Sequence, residues 1–251
     1  MIYFYSGTPG SGKSLSMAKQ VEFWLKVLGK NVIANVHINR NKILKNEKLR
    51  KRGGKFYYFD NEHITVDNLY MYALKFHKLG VESQSLVVID EAQVIFSPTV
   101  IKINSMFNKQ YRQDWLDFFC HHRHLGFDIL IISQFDRLID PQIRCLFEYN
   151  YVHRKANNFG IIGNLLTIFH IPLFVQIQKW YGANEVCSTK FFTYRKKYAE
   201  IYDSYAYRGK VVQMLTERYG EAKMMKIMGI RPTKIKEEKE EKEEKEEKEN
   251  K

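Results

Sequence analysis

The feature that most restricts the fold of this chain is the run Gly7-Thr8-Pro9-Gly10-Ser11-Gly12-Lys13-Ser14. It lies between an apolar stretch, Ile2 to Tyr5, and a helical repeat of apolar residues from about Lys13 to Leu28. Glycine, four residues, then Gly-Lys-Ser, set between a strand and a helix, is the arrangement of a phosphate-binding loop. Its glycines let successive backbone N–H groups turn toward a β-phosphate, and the following helix adds the positive end of its dipole. All eight residues, Gly7 to Ser14, are therefore expected to line a nucleotide, with Lys13 reaching the β- and γ-phosphates and the Ser14 hydroxyl on Mg²⁺. ATP and Mg²⁺ are the cofactors this loop implies.

A second element, "SLVVIDEAQVIF", sets four apolar residues, Leu86 to Ile89, before Asp90 and Glu91. A buried strand ending in two carboxylates delivers them to the edge where open α/β sheets bind ligands. Asp90 can orient Mg²⁺ through its water shell, and Glu91 can act as general base toward an attacking water. A third stretch, "FDILIISQ", ends in Ser133 and Gln134, and Gln134 is the candidate for sensing the γ-phosphate from the strand next to the Asp-Glu strand. Arg112, Arg123, Arg137 and Arg144 are candidate arginine fingers, none preferred. The cluster Cys120 to His124 has no second ligand pair at a recognised zinc spacing, so packing or polar contacts are expected there.

The rest of the chain reads as strands interleaved with helices. Strands are expected at Asn31–Ile38, Phe56–Phe59, Ser85–Ile89 and Phe127–Ser133, and helices at His63–Leu79 and Ser105–His124, with a basic loop or short helix at Asn41–Gly54. That alternation predicts an α/β fold of the P-loop NTPase kind, a mostly parallel sheet flanked by helices. Residues 1–148 form the expected ATPase core and 149–233 a C-terminal extension, with strands at Tyr149–Arg154 and Leu173–Tyr181, either a small appended module or an elaborated sheet edge. Residues 234–251, with 7 Lys and 9 Glu, form a low-complexity tail, disordered or helical and carrying no chemistry.

Charge and cysteine content narrow the setting. Without the tail the chain has 33 basic and 19 acidic residues, which suits an anionic macromolecular partner. Three widely spaced cysteines imply reduced thiols and a cytoplasmic setting. The N-terminus lacks the regions of a signal peptide. The apolar stretch Ile161 to Val175 is interrupted by Gly163, Asn164, His170 and Pro172 and is shorter than the ~20 residues of a membrane span, so it is expected to be core or an interaction surface.

Taken in order, "IYFYSGTPGSGKS", "VVIDEAQ", "HRHLGFDILIISQ" and "IYDSY" resemble the zonular occludens toxin (Zot) family, whose members include the assembly ATPases of filamentous phages. The resemblance covers roughly residues 1 to 207. It implies an oligomeric ATPase on the cytoplasmic side of the host membrane that helps export phage DNA and coat protein, and it carries nucleotide roles onto Gly7, Gly12, Lys13, Ser14, Asp90 and Glu91. Family members usually place a membrane span after this core, whereas here "VVQMLTERYGEAKMMKIMGI" and the charged tail follow. The expected membrane contact is therefore indirect or peripheral, and the toxin activity of the missing segment does not transfer. The expected partners are further copies of the chain, phage coat or assembly proteins, and single-stranded DNA. Two other readings stay open at this point: a DNA translocase or helicase-like ATPase, suggested by "DEAQ" and the basic body, and a nucleotide-gated scaffold without turnover.

Overall fold

A computed structural model of the chain describes residues 1–158 and 172–202 and positions 214, 218 and 220. It divides into two units, Met1–Asp203 and Ser204–Lys251; of the second, only Met214, Arg218 and Gly220 are described. Most of the apolar stretch 161–175 and all of the Lys/Glu tail fall outside the described residues.

In chain order the first unit runs β1 (Ile2–Ser6), α1 (Lys13–Glu22), β2 (Asn31–Ala34), α2 (Arg40–Ile43), α3 (Glu47–Arg52), β3 (Phe56–Tyr58), α4 (Val66–Phe76) and β4 (Ser85–Ile89). It continues through α5 (Gln93–Phe96), α6 (Pro98–Phe107), α7 (Tyr111–His121), β5 (Phe127–Ile132), α8 (Pro141–Arg144), β6 (Tyr149–Lys155), β7 (Leu173–Trp180), β8 (Glu185–Thr193) and α9 (Lys196–Ala199). All eight strands join one sheet in the order β3-β2-β4-β5-β1-β6-β7-β8. The first six are mutually parallel; β7 runs antiparallel to both β6 and β8. Strands β6, β7 and β8 thus elaborate the sheet edge.

The central strands are apolar along their whole length because both faces are covered. Every residue of β4 and β5 is buried. Val87, Ile89, Ile129 and Ile131 enter the layer under α4 to α7, while Leu86, Val88, Leu130 and Ile132 enter the layer under α1, as period-two alternation requires. The first layer centres on Phe96, Trp115, Phe118 and Phe119; Phe96 meets Trp115 edge to face with centroids 4.8 Å apart. The second gathers Met17, Val21, Trp24 and Leu25 over β2, β4 and β5.

Three of the differences from the sequence reading shape the core and the site edge. The helix expected from Lys13 to Leu28 changes to a wider π turn at Phe23–Leu28, which still buries Trp24 and Leu25. The strand expected over Asn31–Ile38 ends at Ala34, because Asn35 turns away to bond the backbone of Asp90. The single helix expected over Ser105–His124 is two. α6 starts at Pro98 under a Ser97 cap and stops at Asn108, whose side-chain oxygen accepts the Gln110 N–H at 3.0 Å. That turn lets α7 point Trp115, Phe118 and Phe119 into the core while Met106 and Phe107 at the end of α6 stay exposed.

Candidate functional site

The C-terminal ends of the parallel strands bring together the loop after β1, Asn35 after β2, Asp90 and Glu91 after β4, Ser133 and Gln134 after β5, and the end of β6. β5 lies between β4 and β1, so one strand separates the glycine loop from the two carboxylates.

The loop is shaped by backbone. Gly7 has φ 144° and Gly12 φ 94°, both in the left-handed half of conformational space. A Cβ on Gly7 would stand 2.3 Å from the carbonyl oxygen of His153 on β6. A Cβ on Gly12 would meet the rings of Phe174 and Phe192 at 3.0 and 3.1 Å. Those two rings, on β7 and β8, stack with centroids 5.3 Å apart, so the hairpin forms the loop's back wall. The Gly7 N–H donates to the Gln134 carbonyl at 3.0 Å, tying the loop to the end of β5. Gly12 leads α1 without any side-chain cap, so the N–H groups of the first turn have no intrahelical acceptor. The buried Ser11 hydroxyl also has no partner among the described residues. Lys13 donates to the carbonyls of Gly7 and Thr8 at 2.6 and 3.1 Å. Burial lowers its pKa, opposed by the charges of Glu91 and Asp90. A cradle of uncapped amides with one ammonium fits an anion the size of a phosphate.

The turn after β4 is shaped by side chains. Asn35 clamps the Asp90 backbone, its oxygen accepting the N–H at 2.7 Å and its amide donating to the carbonyl at 2.8 Å. Asp90 is 7% exposed. Burial, reinforced by the neighbouring Glu91 charge, pushes its pKa up to about 6, while the Glu91 N–H bond and Lys13 pull the other way. A carboxylate so placed favours a cation beside it. Glu91 adopts φ 47°, a strained value for a residue with a side chain. Its exposed carboxylate accepts the Gln93 amide at 2.5 Å, and the Gln93 carbonyl accepts the Ser133 hydroxyl at 2.8 Å. Glu91, Gln93 and Ser133 thereby form a chain from the turn to the end of β5.

Gln134 itself contributes its carbonyl to Gly7, and it joins Ser6, Thr8, Phe135, His153 and Arg154 in lining a cavity of about 420 Å³ beside the loop. His153 is buried there, its pKa lowered to about 4 chiefly by burial. Among the four arginines singled out earlier, Arg112 pairs with Asp140 at 3.2 Å and Arg123 with Glu148 at 2.5 Å, whereas Arg137 and Arg144 make no ion pair among the described residues. In the Cys120–His124 cluster, His122 is buried against the Phe119 carbonyl at 2.6 Å and Cys120 is exposed. No group of three or more His, Cys, Asp or Glu converges among the described residues. A cation at the loop would therefore take Ser14 and Asp90 together with phosphate oxygens and water, the mixed shell that suits Mg²⁺.

Three residues of this edge were not assigned from sequence. Gln93 sits inside the quoted "DEAQ", but its partners come from two strands. Asn35 carries no local signal. Tyr202, in the quoted "IYDSY", is half-buried and pairs with Ile38 in an isolated antiparallel bridge, and burial together with the charges of Asp90 and Glu91 raises its pKa.

The family model described as zonular occludens toxin (Zot) matches residues 1–208. Among solved structures, the N-terminal domain of zonular occludens toxin from Neisseria meningitidis is 20% identical, with a TM-score of 0.46 over 80% of this chain and 98% of that one. The genome packaging NTPase B204 from Sulfolobus turreted icosahedral virus 2 is 14% identical, with a TM-score of 0.40 over 76% and 95%. The conjugation coupling protein TcpA is 15% identical, with a TM-score of 0.41 over 77% and 60%. No curated protein matches the chain. Among the described residues no helix is long and apolar enough to cross a membrane.

Proposed function

The chain belongs to the zonular occludens toxin (Zot) family, and from that premise we propose that it is a Mg²⁺-dependent ATPase working as a motor in filamentous phage assembly and export. The observation that carries this reading is the convergence of an anion cradle at residues 7–14 with a buried carboxylate, Asp90, and an exposed one, Glu91, across a single intervening strand.

In this reading the amides of Gly7 to Ser14 hold the β-phosphate, and Lys13 leaves the carbonyls of Gly7 and Thr8 for the β- and γ-phosphates. Ser14 and Asp90 hold Mg²⁺, which when bound neutralises charge developing on the phosphate oxygens. Glu91, oriented by Gln93, accepts a proton from the water that attacks the γ-phosphorus in line, and ADP departs from the opposite side. Ser133 and Gln134 sit where γ-phosphate loss is felt. Ser133 reaches Glu91 through Gln93, and Gln134 reaches the loop through Gly7. The protein acts as a homo-oligomer at the cytoplasmic face of the host membrane, held peripherally or through coat and assembly proteins, with single-stranded DNA as a further partner. The excess of basic residues also supports a DNA translocase as the second reading.

The test is Mg²⁺-dependent ATP hydrolysis by wild type and Glu91→Gln, with and without single-stranded DNA and anionic vesicles. Turnover that falls at least a hundredfold in the variant while nucleotide binding persists is expected. Stimulation by DNA alone favours the translocase, and ATP binding without turnover under every condition favours a nucleotide-gated scaffold.

A further inference from the structure

The parallel strands end at the nucleotide loop; the edge where they begin lies on the far side of the sheet. Three loops lead into β2, β3 and β4 there, and they are knitted together. The Gly54 N–H donates to the Leu25 carbonyl at 2.9 Å, the Lys55 N–H to the Asn31 side chain at 2.9 Å, and the Lys30 ammonium to the Ser83 carbonyl at 2.6 Å. The surface they carry is apolar and basic at once. The π turn buries Trp24 and Leu25 and leaves Val27 and Leu28 outside. Val27 is 62% exposed and Leu79 63%, and Phe76 and Val81 also project into solvent. Residues 26–30, 50–55 and 75–84 contain eight Lys or Arg and a single acidic residue, Glu82. Lys26 and Lys51 pair with Glu22 and Glu47, whereas Arg52, Lys55, Lys75 and Lys78 are exposed and have no ion pair among the described residues.

Building on the peripheral membrane contact in the reading above, we propose that this edge is the docking face for an anionic lipid surface. Aliphatic side chains set among unpaired cations match both layers of such a surface. Val27, Leu28, Leu79 and Val81 enter the boundary between headgroups and acyl chains, and the lysines and arginines stay with the anionic headgroups. The Lys75 ammonium already stands 5.3 Å from the centroid of the Phe76 ring, its stem along apolar surface. A single-stranded nucleic acid matches less well, because its bases stack on flat rings and most of the apolar residues here are aliphatic. Docked in this way, the sheet turns its nucleotide edge away from the lipid.

Flotation of the full chain with vesicles of phosphatidylcholine and phosphatidylglycerol in equal parts, and with phosphatidylcholine alone, tests the face. Two paired variants attack it, Val27→Glu with Leu79→Glu, and Arg52→Glu with Lys78→Glu. A control pair, Lys102→Glu with Lys109→Glu, reverses as much charge on α6 and the turn after it. All six side chains are exposed, so thermal melts should match the wild type. Wild type and control should float with the mixed vesicles only, and each pair in the face should weaken that binding roughly tenfold or more. Vesicle binding that survives both pairs, or falls equally in the control, overturns the proposal. So does an unaffected Val27/Leu79 pair when the Arg52/Lys78 pair releases a single-stranded oligonucleotide, the behaviour of a nucleic-acid surface. ATP hydrolysis without vesicles separates the two readings. Turnover by a wild type that does not float sinks the lipid face and leaves the ATPase standing, whereas flotation without turnover supports the face and sinks the ATPase.

Discussion

The glycine loop and the Asp90–Glu91 turn face each other across β5, yet they are built in opposite ways. The loop takes its shape from main-chain freedom: glycines in left-handed conformations, no side-chain cap, and walls of carbonyl and ring that leave no room for a Cβ. The turn takes its shape from side chains, with Asn35 holding Asp90, Gln93 and Ser133 holding Glu91, and one strained residue that is not glycine. The lesson is one of distance along the chain. A shape set by main-chain freedom is written in consecutive residues, whereas a shape set by side-chain bonds is written in residues 35, 93 and 133, brought together only by the sheet.

Experiments that damage one wall at a time should separate the two designs. The largest effect is expected at Gly7→Ala, where the added Cβ meets the His153 carbonyl at 2.3 Å in a left-handed conformation; unfolding should be easier by about 4 kcal/mol and nucleotide binding lost. Urea denaturation reads the first and a fluorescent nucleotide the second, and a Gly7→Ala protein of wild-type stability would break the main-chain account. Next comes pH. His153 has a folded pKa of about 4 against an ordinary 6.5, so the unfolded chain takes up its proton first as pH falls. Stability from this group should be complete above pH 6.5 and decline by about 3 kcal/mol toward pH 4. Thermal melts of wild type and His153→Gln across that window should converge at the acid end.

On the other side of β5, Asn35→Ala strands the N–H and carbonyl of a buried Asp90 and should cost about 2 kcal/mol, while Lys13-dependent nucleotide binding in EDTA stays intact. If loop and turn failed together, they would be one cooperative unit and the contrast would dissolve. The smallest stability change is expected for Glu91→Gly. Relief of the φ 47° conformation outweighs the added freedom of the unfolded chain, for a gain of about 0.5 kcal/mol, while ATP turnover disappears. A loss of stability there would show that the Gln93 bond matters more than the backbone strain.

The same contrast explains what could be read in advance. β4 and β5 were legible because strands buried on both faces are continuous apolar runs, and the strand–glycine turn–helix at residues 2–22 because its constraint is local. Asp90 and Glu91 were legible by position, at the end of such a run. Asn35 was not, since an asparagine just past a short strand is ordinary until β2 pairs with β4. The division of Ser105–His124 into two helices turned on an Asn108 side chain capturing a nearby N–H, a local competition that helical periodicity does not register. Gln134 reads as a polar strand end; the structure gives its carbonyl to Gly7 and the bond toward Glu91, by way of Gln93, to its neighbour Ser133. For Tyr202 the signal is a quoted motif without a mechanism, because its bridge partner, Ile38, lies far away along the chain.

The stacked rings of Phe174 and Phe192 behind Gly12 also bear on how the protein is made. A ribosome releases the ring of Phe192 some 180 residues after the glycine loop. During translation the loop therefore has its sequence but no rear support until the hairpin has emerged and folded back. The rear wall of the loop is thus supplied by chain that is made long after the loop itself.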